Sequence, residues 1–201
     1  MLRTMLNLAS VLIVMGACAP VMAGDCVGCS KVAKHGRGFC NACEKGKAFG
    51  VDLTSKGLYD ALAGSAINKD KLKCPGCKEA AKTNGTCAHC KVTAANGKFY
   101  HSPVASVLAR GTRVSAEKAA SCSGCKTAHS EDGFCTGCSA GFVGGRMFKG
   151  EENYKAAIAA YNTLTKAASA VKKCEACAIA MVTDGTCEKC KVSFKAGKAT
   201  G

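Results

Sequence analysis

Tryptophan is absent from this chain, and the other large aromatics are scarce, with four Tyr and seven Phe in 201 residues. So few aromatics do not suggest one large conventional core. Proline occurs only three times, and the 14 Asp plus Glu are half as many as the 28 Lys plus Arg. Several catalytic signatures are also missing. No Gly-x-Ser-x-Gly appears, and none of His35, His89, His101 and His129 belongs to a metalloprotease motif. Gly46-Lys47, Gly97-Lys98 and Gly197-Lys198 are followed by Ala48, Phe99 and Ala199, so no phosphate loop gains its Ser or Thr. A non-enzymatic protein is expected. Two features are abundant instead: a formal charge of +14 and 17 Cys. Cysteine at about one residue in twelve is near the range where cross-links or metals replace core burial.

Residues 1–23 read as a signal peptide. Arg3 gives a basic start, Met5 to Ala19 a mostly apolar run, Pro20 a break, and Val21-Met22-Ala23 a small-residue cleavage pattern. The run falls short of the about 20 residues that span a bilayer. A competing reading uses Met15-Gly16-Ala17-Cys18 as a lipobox, with lipidation at Cys18. Cleavage after Ala23 is preferred, because Met is an uncommon first lipobox residue. Either way Cys18 leaves the count, and sixteen thiols remain. The chain is expected to be exported, periplasmic or extracellular.

All sixteen fall into eight Cys-x-x-Cys pairs: Cys26/Cys29, Cys40/Cys43, Cys74/Cys77, Cys87/Cys90, Cys122/Cys125, Cys135/Cys138, Cys174/Cys177 and Cys187/Cys190. The pairs couple into four repeats starting at 26, 74, 122 and 174, with inner gaps of 10, 9, 9 and 9 residues. A fixed period of this size marks a tandem array. The units are 24–73, 74–121, 122–173 with a long helix, and 174–201, which reads as a truncated end unit without a following helix.

Other residues keep the phase. Gly38, Gly85, Gly133 and Gly185 lie two before each third cysteine. Asn84, Asp132 and Asp184 precede three of them, a pattern that favours tight turns. Gly50, Gly97, Gly145 and Gly197 follow each fourth cysteine by seven residues, among short β-prone stretches, and predict four hairpins. Helices are expected after the first three hairpins. Thr54 or Ser55 caps one carrying Tyr59, Leu62 and Ala66, and Ser102-Pro103 opens another. The third covers about 151–172, with an apolar stripe of Tyr154, Ile158, Tyr161, Leu164, Ala168 and Val171.

Two Cys-x-x-Cys turns joined by a short loop can close a tetrahedral four-cysteine site, which suits zinc. Pairing within repeats uses every thiol in four sites, whereas pairing between repeats strands the first and last pairs. Ligand types alone leave iron open. No pair is followed by the His of a haem site, and the ferredoxin spacing is absent. A thioredoxin-like enzyme carries one such pair near a βαβ pattern, and only Cys74-Pro75-Gly76-Cys77 hints at redox chemistry. Disulfides are the main rival, since an exported chain meets an oxidising compartment. Bridges within a pair close tiny loops that gain little entropy, whereas bridges between the two pairs of a repeat staple it better. Zinc is preferred on ligand geometry, and a structural zinc can supply about 10–16 kcal/mol on folding.

The repeated knuckles resemble zinc-ribbon modules, most closely at Cys74-Pro75-Gly76-Cys77, and the order knuckle, hairpin, helix resembles treble-clef fingers. The resemblance covers about 18 residues per repeat and implies small α+β metal-bound units. Ribbons often place Gly directly after a knuckle. Here Ser30, Glu44, Lys78, Lys91, Lys126, Ser139, Ala178 and Lys191 stand there. Treble clefs take their second ligand pair from a helix start.

The sequence thus predicts an exported zinc-binding repeat protein acting as a binding or scaffolding module, with a metal buffer or sensor, a disulfide-stapled secreted protein or a thiol–disulfide redox protein as the alternatives. Partners are an unidentified protein or an anionic envelope component. Nucleic acid is not expected, and membrane attachment enters only through Cys18. Removing residues 1–23 deletes Arg3 and no acid, taking +14 to +13. Four Zn²⁺ with sixteen thiolates add −8, leaving about +5. Much of the basicity then balances the metal sites.

Overall fold

The computed structural model describes residues 26–200. The expected signal peptide, residues 1–23, and Cys18 fall outside the described residues.

Each repeat opens with a nine-residue helix that the sequence reading did not anticipate. In the first repeat α1 (Val27–His35) leads to β1 (Gly38–Cys40), β2 (Lys45–Ala48) and β3 (Val51–Leu53). Then come α2 (Lys56–Leu62) and β4 (Ser65–Ala66). The second repeat runs α3 (Pro75–Thr83), β5 (Thr86–Cys87), β6 (Val92–Ala95), β7 (Lys98–Tyr100), α4 (Pro103–Ala109), β8 (Thr112–Arg113) and α5 (Ala116–Ala119). The third has α6 (Ser123–Glu131), β9 (Phe134–Cys135), β10 (Ala140–Val143), β11 (Arg146–Lys149) and α7 (Glu151–Ala170). The fourth has α8 (Glu175–Thr183), β12 (Thr186–Cys187), β13 (Val192–Lys195) and β14 (Lys198–Thr200). The fold is α+β, with a small antiparallel sheet beside each cysteine cluster.

The opening helices end in a common way. Gly36, Asn84, Asp132 and Asp184 are left-handed C-caps, with φ between 51° and 56°. The following Gly85, Gly133 and Gly185 each donate an N–H back to Ala80, Ala128 and Ala180. The Asn-Gly and Asp-Gly pairs expected in tight turns therefore form the turns that stop helices. Such turns exploit tolerance of positive φ.

The four expected hairpins are present: β2/β3, β6/β7, β10/β11 and β13/β14. Both turn residues have positive φ at Phe49-Gly50, Asn96-Gly97, Gly144-Gly145 and Ala196-Gly197. That is the turn whose twist matches paired strands. Two sheets gain a fourth strand from the preceding repeat. β4 pairs with β7, and β8 with β11. Ala66 therefore lies in a strand, because α2 stops at Leu62. Ser55 is the cap of α2, accepting the Leu58 N–H at 2.8 Å.

A single core joins all four repeats. It takes Leu53, Leu58 and Leu62 from the first and Ala95, Tyr100, Val104 and Leu108 from the second. Val143, Phe148, Ala157 and Leu164 come from the third, and Ala178 and Val182 from the fourth. The scarcity of aromatics thus did not prevent a shared core, which alanine and leucine mostly supply. The line of α7 that is most buried is Ala157, Ala160, Leu164 and Ala167. Of the six residues in the expected stripe, Leu164 alone belongs to that line, and the larger ones flank it. Small contact residues let helices pack near the lower end of their usual separation. Two polar links also tie the fourth repeat in. Ser102 Oγ, fully buried, donates to the Val182 carbonyl at 2.6 Å, and Ser55 Oγ donates to Glu175.

Candidate metal centres

The cysteines reach each site from two kinds of local structure. The first cysteine of every repeat, Cys26, Cys74, Cys122 or Cys174, is the N-cap of an opening helix. The second, Cys29, Cys77, Cys125 or Cys177, lies in that helix's first turn. The third and fourth sit on the knuckle between the first two strands. This corrects the expectation of two equivalent turns: only the second pair is a strand knuckle. The residue after that knuckle is left-handed in all four repeats, at Glu44, Lys91, Ser139 and Lys191, with φ from 47° to 55°. The chain keeps a conformation that suits Gly while carrying other residues. In two knuckles the N–H of the fourth cysteine points at the third sulfur, Cys90 to Cys87 at 3.5 Å and Cys190 to Cys187 at 3.4 Å.

Four clusters result: Cys26, Cys29, Cys40 and Cys43; Cys74, Cys77, Cys87 and Cys90; Cys122, Cys125, Cys135 and Cys138; Cys174, Cys177, Cys187 and Cys190. Within each, all sulfurs lie within 4.8 Å of one another. The pairing is within repeats, as the counting argument required. A tetrahedron with metal–sulfur bonds of about 2.3 Å has sulfur–sulfur edges of about 3.8 Å. First-to-third separations are 3.5, 3.7, 3.9 and 3.7 Å along the chain. Cys138 and Cys190 stand 3.6 and 3.8 Å from Cys122 and Cys174. These edges fit a four-thiolate metal site. They are far from the about 2.05 Å of a disulfide, and all sixteen described cysteines are free.

Every site has its third cysteine in the interior, and the second and third sites bury Cys77 and Cys125 as well. Cys40, Cys87, Cys135 and Cys187 are 1–5 % exposed. Three small apolar clusters surround the inner sulfurs of the last three repeats, with Ala80 and Val92, Ala128 and Phe142, and Ala180 and Phe194. At the outer side Cys43, Cys138 and Cys190 face solvent.

Three glycines missed by the sequence reading make room for the inner sulfur. A Cβ at Gly28, Gly76 or Gly124 would stand 2.6, 2.8 or 2.9 Å from the sulfur of Cys40, Cys87 or Cys135. Their shared place before the second cysteine was the available signal. The fourth repeat has Ala176 there, and nothing in the structure explains the exception.

The helix N-termini set the acidity of the site. No N-cap sulfur makes a regular cap bond. Their thiols still feel the N–H groups aimed at them. The Cys29 N–H, followed by the Cys40 and Cys43 thiols, holds Cys26 down at about 6. The N–H groups of Cys77, Cys125 and Cys177 hold Cys74, Cys122 and Cys174 at about 7. Other members are raised: Cys43 to about 12 by the Cys29 thiol, Cys77 to about 12 by Cys90, and Cys125 to about 12 by burial. Without a cation, four sulfurs cannot all ionise together.

The histidines stay outside these sites. His35, His89 and His101 are exposed. His129 instead braces the third repeat, with its Nε2 3.0 Å from the Val114 carbonyl oxygen and its ring edge-on to Phe142. Among the described residues no helix is long and apolar enough to cross a membrane. No protein-family model, curated protein or solved structure matches the chain.

Proposed function

We propose that this is an exported, non-enzymatic zinc-binding repeat protein that acts as a binding or scaffolding module. Its units are zinc-ribbon-like, with the second pair of each repeat on a ribbon-type knuckle. The observation that carries the reading is the fourfold recurrence of tetrahedral sulfur spacing, which uses every described cysteine. Four thiolates complete the coordination of zinc and leave no position for water or substrate, so the metal is structural. Its role is to hold a helix start against a strand knuckle. Export follows from the basic, apolar and small-residue pattern of residues 1–23. Titration of the metal-free protein with Co²⁺ tests the ligand set. Tetrahedral thiolate absorption saturating at four equivalents, the number of clusters, supports it. Absence of that absorption overturns it.

A metal buffer is the second reading, favoured by the exposure of Cys43, Cys138 and Cys190. An outer sulfur open to solvent gives a chelator or acceptor thiol a place to begin exchange. Under this reading zinc leaves the first, third and fourth sites before the second, whose four sulfurs are all at least partly shielded.

A further inference from the structure

The arginines are distributed unlike the lysines. Among the described residues none of Arg37, Arg110, Arg113 and Arg146 forms an ion pair. Three of them converge where the first three repeats meet. Arg37 comes from the loop after α1, Arg113 from β8 and Arg146 from β11, and all line one cleft with Lys47 and Lys98. Among the described residues no carboxylate lines it. Lys47 alone has an acidic partner, Asp52 at 3.2 Å.

Several contacts hold these cations in place. Arg146 donates to the Gly111 carbonyl at 2.6 Å and stacks over Phe49, 5.3 Å from the ring centre. Arg113 donates to the carbonyls of His35 and Gly36 at 2.6 and 2.8 Å. Each guanidinium has five N–H donors, so both keep donors free. Burial first, then the charges of Arg113 and Arg37, push Arg146 below the usual arginine range. Neighbouring like charges without a counter-ion are unfavourable in a half-buried place. An anion in the cleft removes that penalty. The free space is about 70 Å³, several times the roughly 10–15 Å³ that one water needs. It suits a small group.

We propose that this cleft binds a small tetrahedral oxyanion, phosphate or the terminal phosphate of a monoester. Guanidinium forks match phosphate oxygens in pairs, and Tyr100 forms part of the wall. The site is built by three repeats at once, so it exists only in the folded array. It is separate from the cysteine clusters, since no cysteine lines it.

Thermal unfolding of the zinc-loaded full chain, freed of excess metal, tests this. Inorganic phosphate is compared with chloride at equal ionic strength. Phosphate is expected to raise the midpoint progressively and chloride is not. Arg37→Gln combined with Lys98→Gln touches no hydrogen bond described above and should weaken phosphate binding by about tenfold or more. Vesicles with and without phosphatidic acid identify the source. Retention on the acidic vesicles, competed by free phosphate and lost in the double variant, assigns a lipid headgroup. Phosphate binding without vesicle retention assigns a soluble anion. Equal effects of phosphate and chloride, or a phosphate response unchanged in the double variant, overturn the proposal.

Discussion

Individual residues divide the sulfurs of each site into unequal roles. The N-cap thiols Cys26, Cys74, Cys122 and Cys174 are held at about 6 or 7, so each site offers one ready thiolate near neutral pH. In every site the second and fourth thiols are raised. These hold protons in the metal-free protein, and a metal ion that binds must expel them. Acid therefore favours metal release, and alkali favours uptake. Apparent zinc affinity should fall about 100-fold or more per pH unit of acidification between pH 8 and 6, two protons being released per site. Chelator competition across that range reads the slope, and a fall below about tenfold per unit contradicts this division. A second residue prediction concerns Ser102. It caps α4, accepting the Ala105 N–H at 3.0 Å while donating to Val182. Ser102→Ala should cost about 1–2 kcal/mol, the range for a lost helix cap. Denaturant unfolding of the zinc-loaded protein measures it, and a loss under about 0.5 kcal/mol would show that cap and tether contribute little.

At the scale of elements, the hairpin tips distinguish backbone conformation from packing. Gly144 and Gly145 are both left-handed, with φ of 55° and 70°. A Cβ at Gly145 meets nothing within 4 Å, but at Gly144 it collides with the Phe49 carbonyl oxygen of the first repeat. Gly145→Ala should cost about 1–2 kcal/mol, the left-handed penalty alone. Gly144→Ala should cost clearly more, and equal losses in denaturant unfolding would mean that the tips do not press together. The hairpins were legible because Gly recurs seven residues after each fourth cysteine. Helix α7 was legible because twenty residues carry a period, with Glu151 and Glu152 at its start. The opening helices were not. Nine residues hold only two and a half turns, and isolated helices that short are marginal. In α8 almost every residue is apolar, so no face stands out. These helices are fixed by tertiary contacts and by the cysteines at their N-termini. The sequence therefore specified which cysteines meet but not that half of them are carried on helices. The added strands β4 and β8, two residues each, left no pattern at all.

Across the whole molecule, the repeats are not independent beads. One core spans all four, while three satellite clusters gather around cysteines. A chain poor in aromatics achieves this with alanine, leucine and four local sites. Calorimetry of the zinc-loaded protein should show one main unfolding transition. Cys87→Ser should lower that transition by roughly 10 °C or more, because a structural zinc contributes on this scale. A separate early transition for the second repeat would show that the shared core does not couple the units. The most direct test of the account is native mass spectrometry joined to thiol titration on protein kept with its native metal. The account predicts four zinc ions per chain and sixteen thiols that react only after chelation, matching four clusters of four. A metal-free chain with no titratable thiols would contradict it.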